Sequence, residues 1–218
     1  MLFRNLLLAA ILLFAGSCAL LKPAPVQNTL QNARPAVTHI LYGNRSCSAF
    51  HIGDGEFITA AHCFGKDLGY TMKEIRMIDY REFNYFPVVK AYDFEKDLVL
   101  LSVYGFKGPA LHLWDGNIPY GMELVVLGYP GYYDVNFLWE HGYVKDIVEF
   151  DGIEMILSEE SSYAGESGGP VISTVDGRVI GMVDAGMELI EWLRMPMHSH
   201  ISLSLFVSAT EIRAFLTR

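Results

Sequence analysis

The chain has 218 residues, of which 51% are hydrophobic and 19% are charged, so it carries enough apolar material for a sizeable core and is not disordered. Its formal net charge is −9, and its 16 lysines and arginines form no basic run. This composition argues against a surface that binds nucleic acid.

The N-terminal residues differ in composition from the rest of the chain. Arg4 precedes an uncharged apolar stretch over residues 6–21, and the small residues of Ala15–Ser17 stand just before Cys18. A basic start, a short apolar run and small residues predict an export signal over residues 1–18, since the run is short for a membrane-spanning helix.

The end of this segment also resembles the lipobox of bacterial lipoproteins, although Ala15 stands where leucine is usual. The resemblance implies that Cys18 becomes the lipidated first residue after cleavage. Simple secretion and an uncleaved anchor are the alternatives. Residues 19–35 contain Pro23, Pro25 and Pro35 among polar residues, which predicts a linker that holds no helix.

The first half of the remaining chain has the pattern of short strands. Segments Cys47–Ile52 and Glu56–Thr59 flank the turn signal Gly53-Asp54-Gly55, so His62 is expected just past a β-hairpin. Other strands are expected from Val37 and over Glu74–Met77, Pro87–Tyr92 and Asp97–Val103. We predict an N-terminal barrel over residues 36–108 and, because glycine and proline are frequent there, a crossover over residues 109–119.

The second half repeats this pattern over residues 120–207, the predicted C-terminal barrel. Asp151-Gly152 and Asp176-Gly177 each predict a tight hairpin, because such pairs adopt the positive φ angles that these turns need. Ser208 and Glu211 have the spacing of a capping box that opens a terminal helix over residues 208–218. The predicted strands are Glu123–Gly128, Tyr143–Phe150, Ile153–Leu157, Val171–Thr174, Arg178–Val183 and Ile201–Val207.

About a dozen short strands with frequent turns predict an all-β fold of two packed six-stranded antiparallel β-barrels, followed by one short C-terminal helix.

Three short segments carry residues suited to acyl transfer. Ser167 stands in Gly165-Glu166-Ser167-Gly168-Gly169-Pro170, a tight loop that presents its hydroxyl beside backbone N–H groups. Such a serine is a poor nucleophile without a base. Thr59-Ala60-Ala61-His62-Cys63 offers an imidazole, and Lys96-Asp97-Leu98-Val99-Leu100-Leu101 offers a carboxylate.

These segments, in the order His, Asp, Ser and 35 and 70 residues apart, resemble those of the trypsin-like, chymotrypsin-fold serine peptidases. The resemblance covers about residues 36–217. It implies a catalytic triad of His62, Asp97 and Ser167 in a cleft between the barrels, and an oxyanion hole made by the N–H groups of Gly165 and Ser167. It implies no cofactor and no metal.

If Cys18 is lipidated or leaves with the signal, Cys47 and Cys63 remain as an even pair in an exported protein, which favours a disulfide. Their separation of 16 residues matches a bridge often seen in the family. Two buried thiols are the alternative, and zinc is disfavoured because no C-x-x-C spacing exists.

The chain departs from the family pattern at two positions that bear on activity. Glu166 replaces the aspartate that pairs with a freed amino terminus in zymogens, so activation by that ion pair is not expected. Asp184 stands where a serine usually supports the catalytic aspartate, and two close carboxylates would raise one pKa. We expect Asp184 either to turn away from the triad or to alter the site.

Specificity residues follow from the same alignment. Ser161, Asp184 and Gly186 are expected to line the substrate pocket, with Ser161 at its base, where no acid selects a basic side chain. Glu159, Glu160 or Asp184 could still reach the pocket. An uncharged or small residue before the cleaved bond is therefore expected.

Taken together, the sequence predicts an exported serine endopeptidase, held at a membrane by lipidated Cys18 on the periplasmic or cell-surface side, or secreted. It would act on a protein or peptide substrate and not on nucleic acid. The alternatives are an inactive trypsin-fold binding protein, and an esterase that uses the same triad.

Overall fold

The computed structural model describes residues 25–65, 68, 75–131, 137–160, 162–184 and 203–218. The predictions for the export signal, Cys18, Ser161 and Gly186 concern residues outside these ranges. Within them, no helix has the length and hydropathy that crossing a membrane requires.

The described part begins with helix α1 (Pro25–Ala33), followed by a 3-10 turn (Arg34–Ala36). The prediction that the linker over residues 19–35 holds no helix is therefore wrong for this part. Pro25 is the first helical residue, where the missing N–H costs nothing, and a second proline opens the 3-10 turn. Ala33 and Ala36 are buried, so packing onto the domain stabilises the segment.

The first unit is a seven-stranded antiparallel sheet in the order β5-β4-β1-β2-β3-β7-β6, rather than the predicted six-stranded barrel. The added strand has only two residues and no periodicity to predict it. Because β4 and β5 are so short, the pairing among the described residues does not close into a ring. The strands are β1 (Val37–Tyr42), β2 (Arg45–Gly53), β3 (Glu56–Ala60), β4 (Arg76–Ile78), β5 (Asn84–Tyr85), β6 (Val88–Asp93) and β7 (Leu98–Ser102).

The hairpin between β2 and β3 is the predicted one. Gly53 pairs with Glu56, and both Asp54 (φ 50°) and Gly55 (φ 73°) have the positive φ angles of a two-residue hairpin turn. Strand β3 then ends at Ala60 and leads into the 3-10 turn Ala61–Cys63. This turn projects His62 from the end of the sheet.

The second unit is the predicted six-stranded barrel, closed in the order β10-β13-β12-β11-β8-β9. Asp151 (φ 50°) and Gly152 (φ 79°) form the expected tight link. The strands are β8 (Glu123–Gly128), β9 (Leu138–Phe150), β10 (Ile153–Ser158), β11 (Pro170–Ser173), β12 (Val179–Val183) and β13 (Ser204–Ser208).

Two details of this barrel differ from the prediction. Strand β9 begins five residues before the predicted start, because residues 138–142 pair with β8. The link between β11 and β12 is not a two-residue turn, since only Gly177 (φ 74°) has a positive φ. There the Asp176 carboxylate accepts the Arg178 N–H at 3.1 Å, and Gly177 N–H donates to Ser173 O at 3.0 Å, so side-chain hydrogen bonding sets a longer loop.

The crossover joins the two units through backbone hydrogen bonds. Leu111 N donates to His51 O of β2 at 2.9 Å, and Trp114 N donates to Val179 O of β12 at 2.7 Å. One buried apolar cluster also contains residues of both sheets, including Phe50 and Leu127. The loops that face this junction are therefore held in a fixed relation to each other.

The chain closes with helix α2 (Ala209–Leu216), whose Ile212 and Phe215 are buried as predicted. Ser208 Oγ accepts the Glu211 N–H at 3.3 Å, which is one half of the expected capping box. The other half is absent from this described helix start, because the Glu211 carboxylate accepts hydrogen bonds from Lys96 Nζ and, at 3.2 Å, from Glu154 N. Glu211 thus ties the helix to both sheets.

Candidate active site

His62 and Asp97 are joined by two hydrogen bonds at the end of the first sheet. His62 Nδ1 lies 2.7 Å from Asp97 Oδ2, and His62 N donates to Asp97 Oδ1 at 2.7 Å. Ala61 N also donates to the carbonyl of Asp97 at 3.1 Å, which locks the turn before β7 against the turn after β3. The carboxylate therefore fixes the imidazole with its hydrogen on Nδ1 and leaves Nε2 able to accept a proton.

Asp97 has a positive φ of 54°, one of four non-glycine residues of the described chain in the left-handed region. Aspartate tolerates this conformation better than most side chains, though it still carries strain. The two hydrogen bonds to His62 and the following buried strand β7 hold the residue there.

The serine loop requires glycine on both sides of Ser167. Gly165 (φ 107°) and Gly168 (φ 83°) have angles that residues with a Cβ rarely adopt. A Cβ on Gly165 would lie 2.5 Å from Tyr129 O, and one on Gly168 would lie 2.3 Å from Ser48 O. The loop is therefore pressed against backbone on two sides, and no larger residue fits without moving it.

Ser48, which the sequence analysis did not single out, joins this loop to the first sheet. Its N–H donates to Ser167 O at 2.8 Å, and its Oγ donates to Gly165 O at 2.9 Å while accepting the Tyr129 N–H at 2.9 Å. Ser48 is fully buried in the middle of β2. A serine between Cys47 and Ala49 in a predicted strand was the available signal, because a hydroxyl that becomes buried needs partners.

The structure brings the loop next to the histidine turn without a hydrogen bond from Ser167 Oγ to the imidazole in the described part of the chain. Ser167 O lies 4.0 Å from Sγ of Cys63, the neighbour of His62. Catalytic hydrogen bonds often form only once substrate binds, so a missing hydrogen bond between Ser167 and His62 does not contradict the predicted triad. The expected oxyanion hole is compatible too, since the N–H groups of Gly165 and Ser167 donate to no described residue.

Asp184 lies beside the histidine and has not turned away. It follows β12 directly, and its Oδ1 is 4.0 Å from His62 Nδ1. Partial burial lowers the pKa of His62, but the hydrogen bond to Asp97 and the charges of Asp97 and Asp184 outweigh burial, so that the pKa is raised. The positive charge of Arg45 opposes this rise.

The predicted disulfide between Cys47 and Cys63 is present, with its two Cα atoms 6.2 Å apart. It links β2 to the histidine turn, and both cysteines are buried. Arg45, a residue that the sequence analysis missed, reinforces this link because its Nη1 donates to His62 O at 2.7 Å.

Removing the disulfide is expected to lower the free energy of unfolding by about 3 kcal/mol, the chain-entropy value for a loop of this length. The paired variant Cys47→Ala and Cys63→Ala would be compared with wild type by urea unfolding. Urea unfolding of wild type under a reducing agent serves as the control, because it opens the bridge without changing a side chain. Equal stability of the paired variant and wild type would contradict a structural role for the bridge.

Two glutamates, one in the serine loop and one shortly before it, are buried. Glu166 is fully buried, and its Oε2 accepts the Tyr163 N–H at 2.7 Å. Glu160 is 7% exposed and accepts a hydrogen bond from Ser158 Oγ. Burial raises the pKa of both carboxyls to about 7, and the charge of Glu140 adds to both rises. Glu160, which was expected as a possible acid of the specificity pocket, therefore turns toward Ser158.

Glu160→Gln is expected to stabilise the protein at pH 8 by about 1–3 kcal/mol and to have little effect at pH 4. Between the unfolded pKa near 4.3 and the folded pKa of about 7, the folded state binds the extra proton, so stability falls as pH rises through this window. Urea unfolding at both pH values measures the difference. Glu149→Gln, at an exposed position, is the control. If Glu160→Gln changed the stability equally at pH 4 and pH 8, the raised pKa of Glu160 would not be the cause.

Two groups of side chains in the described residues have metal-ligand atoms close together. In the first, Cys47 and Cys63 are joined in a disulfide and offer no thiolate to accompany His62. In the second, a hydrogen bond of 2.7 Å between His62 and Asp97 occupies the space that a cation bound to both would need. Both groups are explained without a cation.

Comparison with known proteins supports the same fold. A family model described as a trypsin-like peptidase domain matches residues 47–182, well over half of the chain. No curated protein matches the chain significantly.

Among solved structures, the inactive form of the Rv3671c protease is 21% identical, with a TM-score of 0.74, over 90% of this chain and 95% of that one. The active form from M. tuberculosis has the same identity and TM-score over 86% of its length. A serine endoprotease from Yersinia pestis is 16% identical, with a TM-score of 0.73, over 90% of this chain and 66% of that one. By the family model, the chain belongs to the trypsin-like peptidase family, and it is a serine endopeptidase.

Proposed function

We propose that this endopeptidase cleaves peptide bonds with Ser167 as nucleophile, His62 as base and Asp97 as the group that orients the base. The observation that carries the proposal is the pair of 2.7 Å hydrogen bonds from His62 to Asp97, one from the ring and one from the backbone. Together they fix both the tautomer and the position of the imidazole, which are the two properties that a general base needs.

In the proposed reaction, Ser167 Oγ attacks the carbonyl carbon of the scissile bond while its proton passes to His62 Nε2. The protonated imidazole then gives this proton to the leaving amine, and an acyl-enzyme remains on Ser167. Water then attacks the acyl carbon while His62 Nε2 takes its proton, and His62 returns this proton to Ser167 Oγ as the acid product leaves.

The carbonyl oxygen becomes an anion in this step, and we assign its stabilisation to the N–H groups of Gly165 and Ser167. Gly165 has a φ of 107°, which turns its N–H away from the usual direction of an extended chain. Preformed donors of this kind typically contribute about 3–4 kcal/mol each to the transition state. The close fit of Gly165 and Gly168 against backbone keeps these donors in place before substrate binds.

The same proposal includes export and a membrane tether. It rests on the sequence of residues 1–18, in which Arg4, an apolar run and small residues precede Cys18. Mass spectrometry of the protein purified from membranes tests it, because a lipidated Cys18 gives an N-terminal peptide that begins at residue 18 and carries acyl chains. Recovery of the unmodified peptide with residues 1–17 still attached would contradict it.

A fluorophosphonate probe tests the catalytic assignment directly. The probe is expected to label a single residue, Ser167, and mass spectrometry of the digest locates the adduct. Absence of labelling would favour an inactive binding protein.

A library of peptide and ester substrates then separates an endopeptidase from an esterase, and the residues before the cleaved bonds report on the expected preference for small or uncharged side chains.

A further inference from the structure

Asp184 places a second carboxylate on the side of His62 that already faces Asp97. The Asp184 Oδ1 atom lies 4.0 Å from His62 Nδ1, whereas Asp97 Oδ2 lies 2.7 Å from it. One ring nitrogen of His62 and one carboxylate oxygen of each aspartate lie within 4.8 Å of one another. The Asp184 side chain is 29% exposed, so water screens its charge only in part.

We propose that Asp184 is a second positioning residue for His62, whose carboxylate stabilises the protonated imidazole together with Asp97. The inference rests on the proposed function, because the protonated imidazole matters as the species formed when Ser167 attacks. Asp184 receives no proton and touches no substrate in this scheme. It acts on the reaction only through the charge on His62.

The charges around the imidazole support this role. Three charged groups of the described residues act on His62: Asp97 from the turn before β7, Asp184 from the end of β12 and Arg45 from the start of β2. The negative charges of two carboxylates thus outnumber the positive charge of one guanidinium near the ring. The guanidinium donates its hydrogen bond from Nη1 to the backbone carbonyl of His62 and not to the ring. The balance favours the positive imidazole, in the same direction as the raised pKa of His62.

The backbone around Asp184 fixes this carboxylate relative to the nucleophile. Val183, its neighbour in β12, accepts the Gly168 N–H at 2.9 Å and donates to Gly169 O at 2.9 Å. The segment that carries Asp184 is therefore bonded directly to the loop that carries Ser167. A serine at position 184 could accept or donate a hydrogen bond there, but it would supply no charge.

Stabilising the protonated imidazole has two opposite effects on turnover. It lowers the energy of the state reached when the proton leaves Ser167 Oγ for His62 Nε2. It also keeps His62 protonated, and so unable to act as base, up to a higher pH. Removing the charge of Asp184 is expected to extend activity to lower pH and to reduce the maximal rate at high pH by a few-fold.

The test that does not depend on turnover is an NMR titration of His62 in the Ser167→Ala protein. Adding Asp184→Asn to this protein is expected to lower the pKa of His62 by about one unit or more, because one charge at 4 Å contributes about 1 kcal/mol in bulk water and more where water screens it only in part. Asp184→Ser is expected to give the same shift, and it covers the case in which the asparagine variant is poorly folded. Unchanged pKa values of His62 in both variants would overturn the proposal.

The matching kinetic test is the pH profile of kcat/KM in the active enzyme. The acidic limb is expected to move by about one unit to lower pH in Asp184→Asn and Asp184→Ser, and to return in Asp184→Glu. Glu149→Gln removes an equal charge from an exposed position of β9 and should leave the limb in place. A merely structural role for Asp184 would reduce activity at every pH without moving the limb, and that result would also overturn the proposal.

These two experiments separate the inference from the function on which it rests. If wild type shows no turnover while the NMR titration shows the expected shift, the proposed catalysis fails and the electrostatic link between Asp184 and His62 stands. If turnover is normal and neither the titration nor the acidic limb moves, the link fails and the proposed catalysis stands.

Discussion

Ser167→Ala is expected to lower kcat by about 10⁴–10⁶-fold, because no other group in the triad can form the acyl-enzyme. The fold should not change, since the described hydrogen bonds that hold the loop use backbone groups, the Ser48 hydroxyl and the Glu166 carboxylate, and none uses the Ser167 hydroxyl. The Ser48 N–H donates to the carbonyl at position 167, and its Oγ bonds to Gly165 O and Tyr129 N. Steady-state kinetics on a cleaved peptide and a thermal melt of the same preparation measure both expectations.

Ser102→Ala provides the matched control, because Ser102 is also partly exposed and lies at the end of β7, outside the proposed machinery. It should retain wild-type kcat and KM. Activity of Ser167→Ala above about one hundredth of wild type would show that another nucleophile is used. A large loss of melting temperature in Ser167→Ala would instead show that the hydroxyl supports the loop.

The parts of the structure that the sequence predicts are decided by local chemistry or follow from the family resemblance. Asp151-Gly152 predicts its hairpin because both residues adopt the positive φ angles that the turn requires. The disulfide was predicted from cysteine number, spacing and family resemblance, all of which are visible in the chain. The pairing of His62 with Asp97 came from motif resemblance, and the structure places these two side chains together.

The parts that could not be predicted depend on contacts between distant segments. Residues 25–33 are too few for a helix that is stable alone, and they form one because the domain core buries Ala33 and packs against Val26 and Leu30, which stand at helical spacing. The role of Ser48 depends on hydrogen bonds to Tyr129 and Gly165, which stand 81 and 117 positions away in the sequence. Whether Asp184 faces His62 or solvent depends on the register of β12 against the serine loop, which no local pattern encodes.

Asp97→Asn is expected to lower kcat by about 10³–10⁴-fold with little change in KM, because the loss concerns the base and not substrate binding. The amide can still accept one hydrogen bond through its oxygen. If this oxygen accepts the backbone N–H of His62, the amide NH₂ faces the ring atom Nδ1. The NH₂ group can only donate to Nδ1, so the hydrogen of the neutral ring moves to Nε2. His62 would then be held in a tautomer that cannot accept the proton of Ser167.

The backbone should tolerate this substitution, because asparagine shares with aspartate the ability to adopt the positive φ of 54° at position 97. Asp176→Asn is the matched control, since this aspartate also accepts a backbone N–H in a turn but lies outside the site. Its kinetics should equal those of wild type, as should the melting temperatures of both variants. An Asp97→Asn enzyme within about tenfold of wild-type kcat would show that Asp184 alone can orient the imidazole, so that the second carboxylate would replace the first.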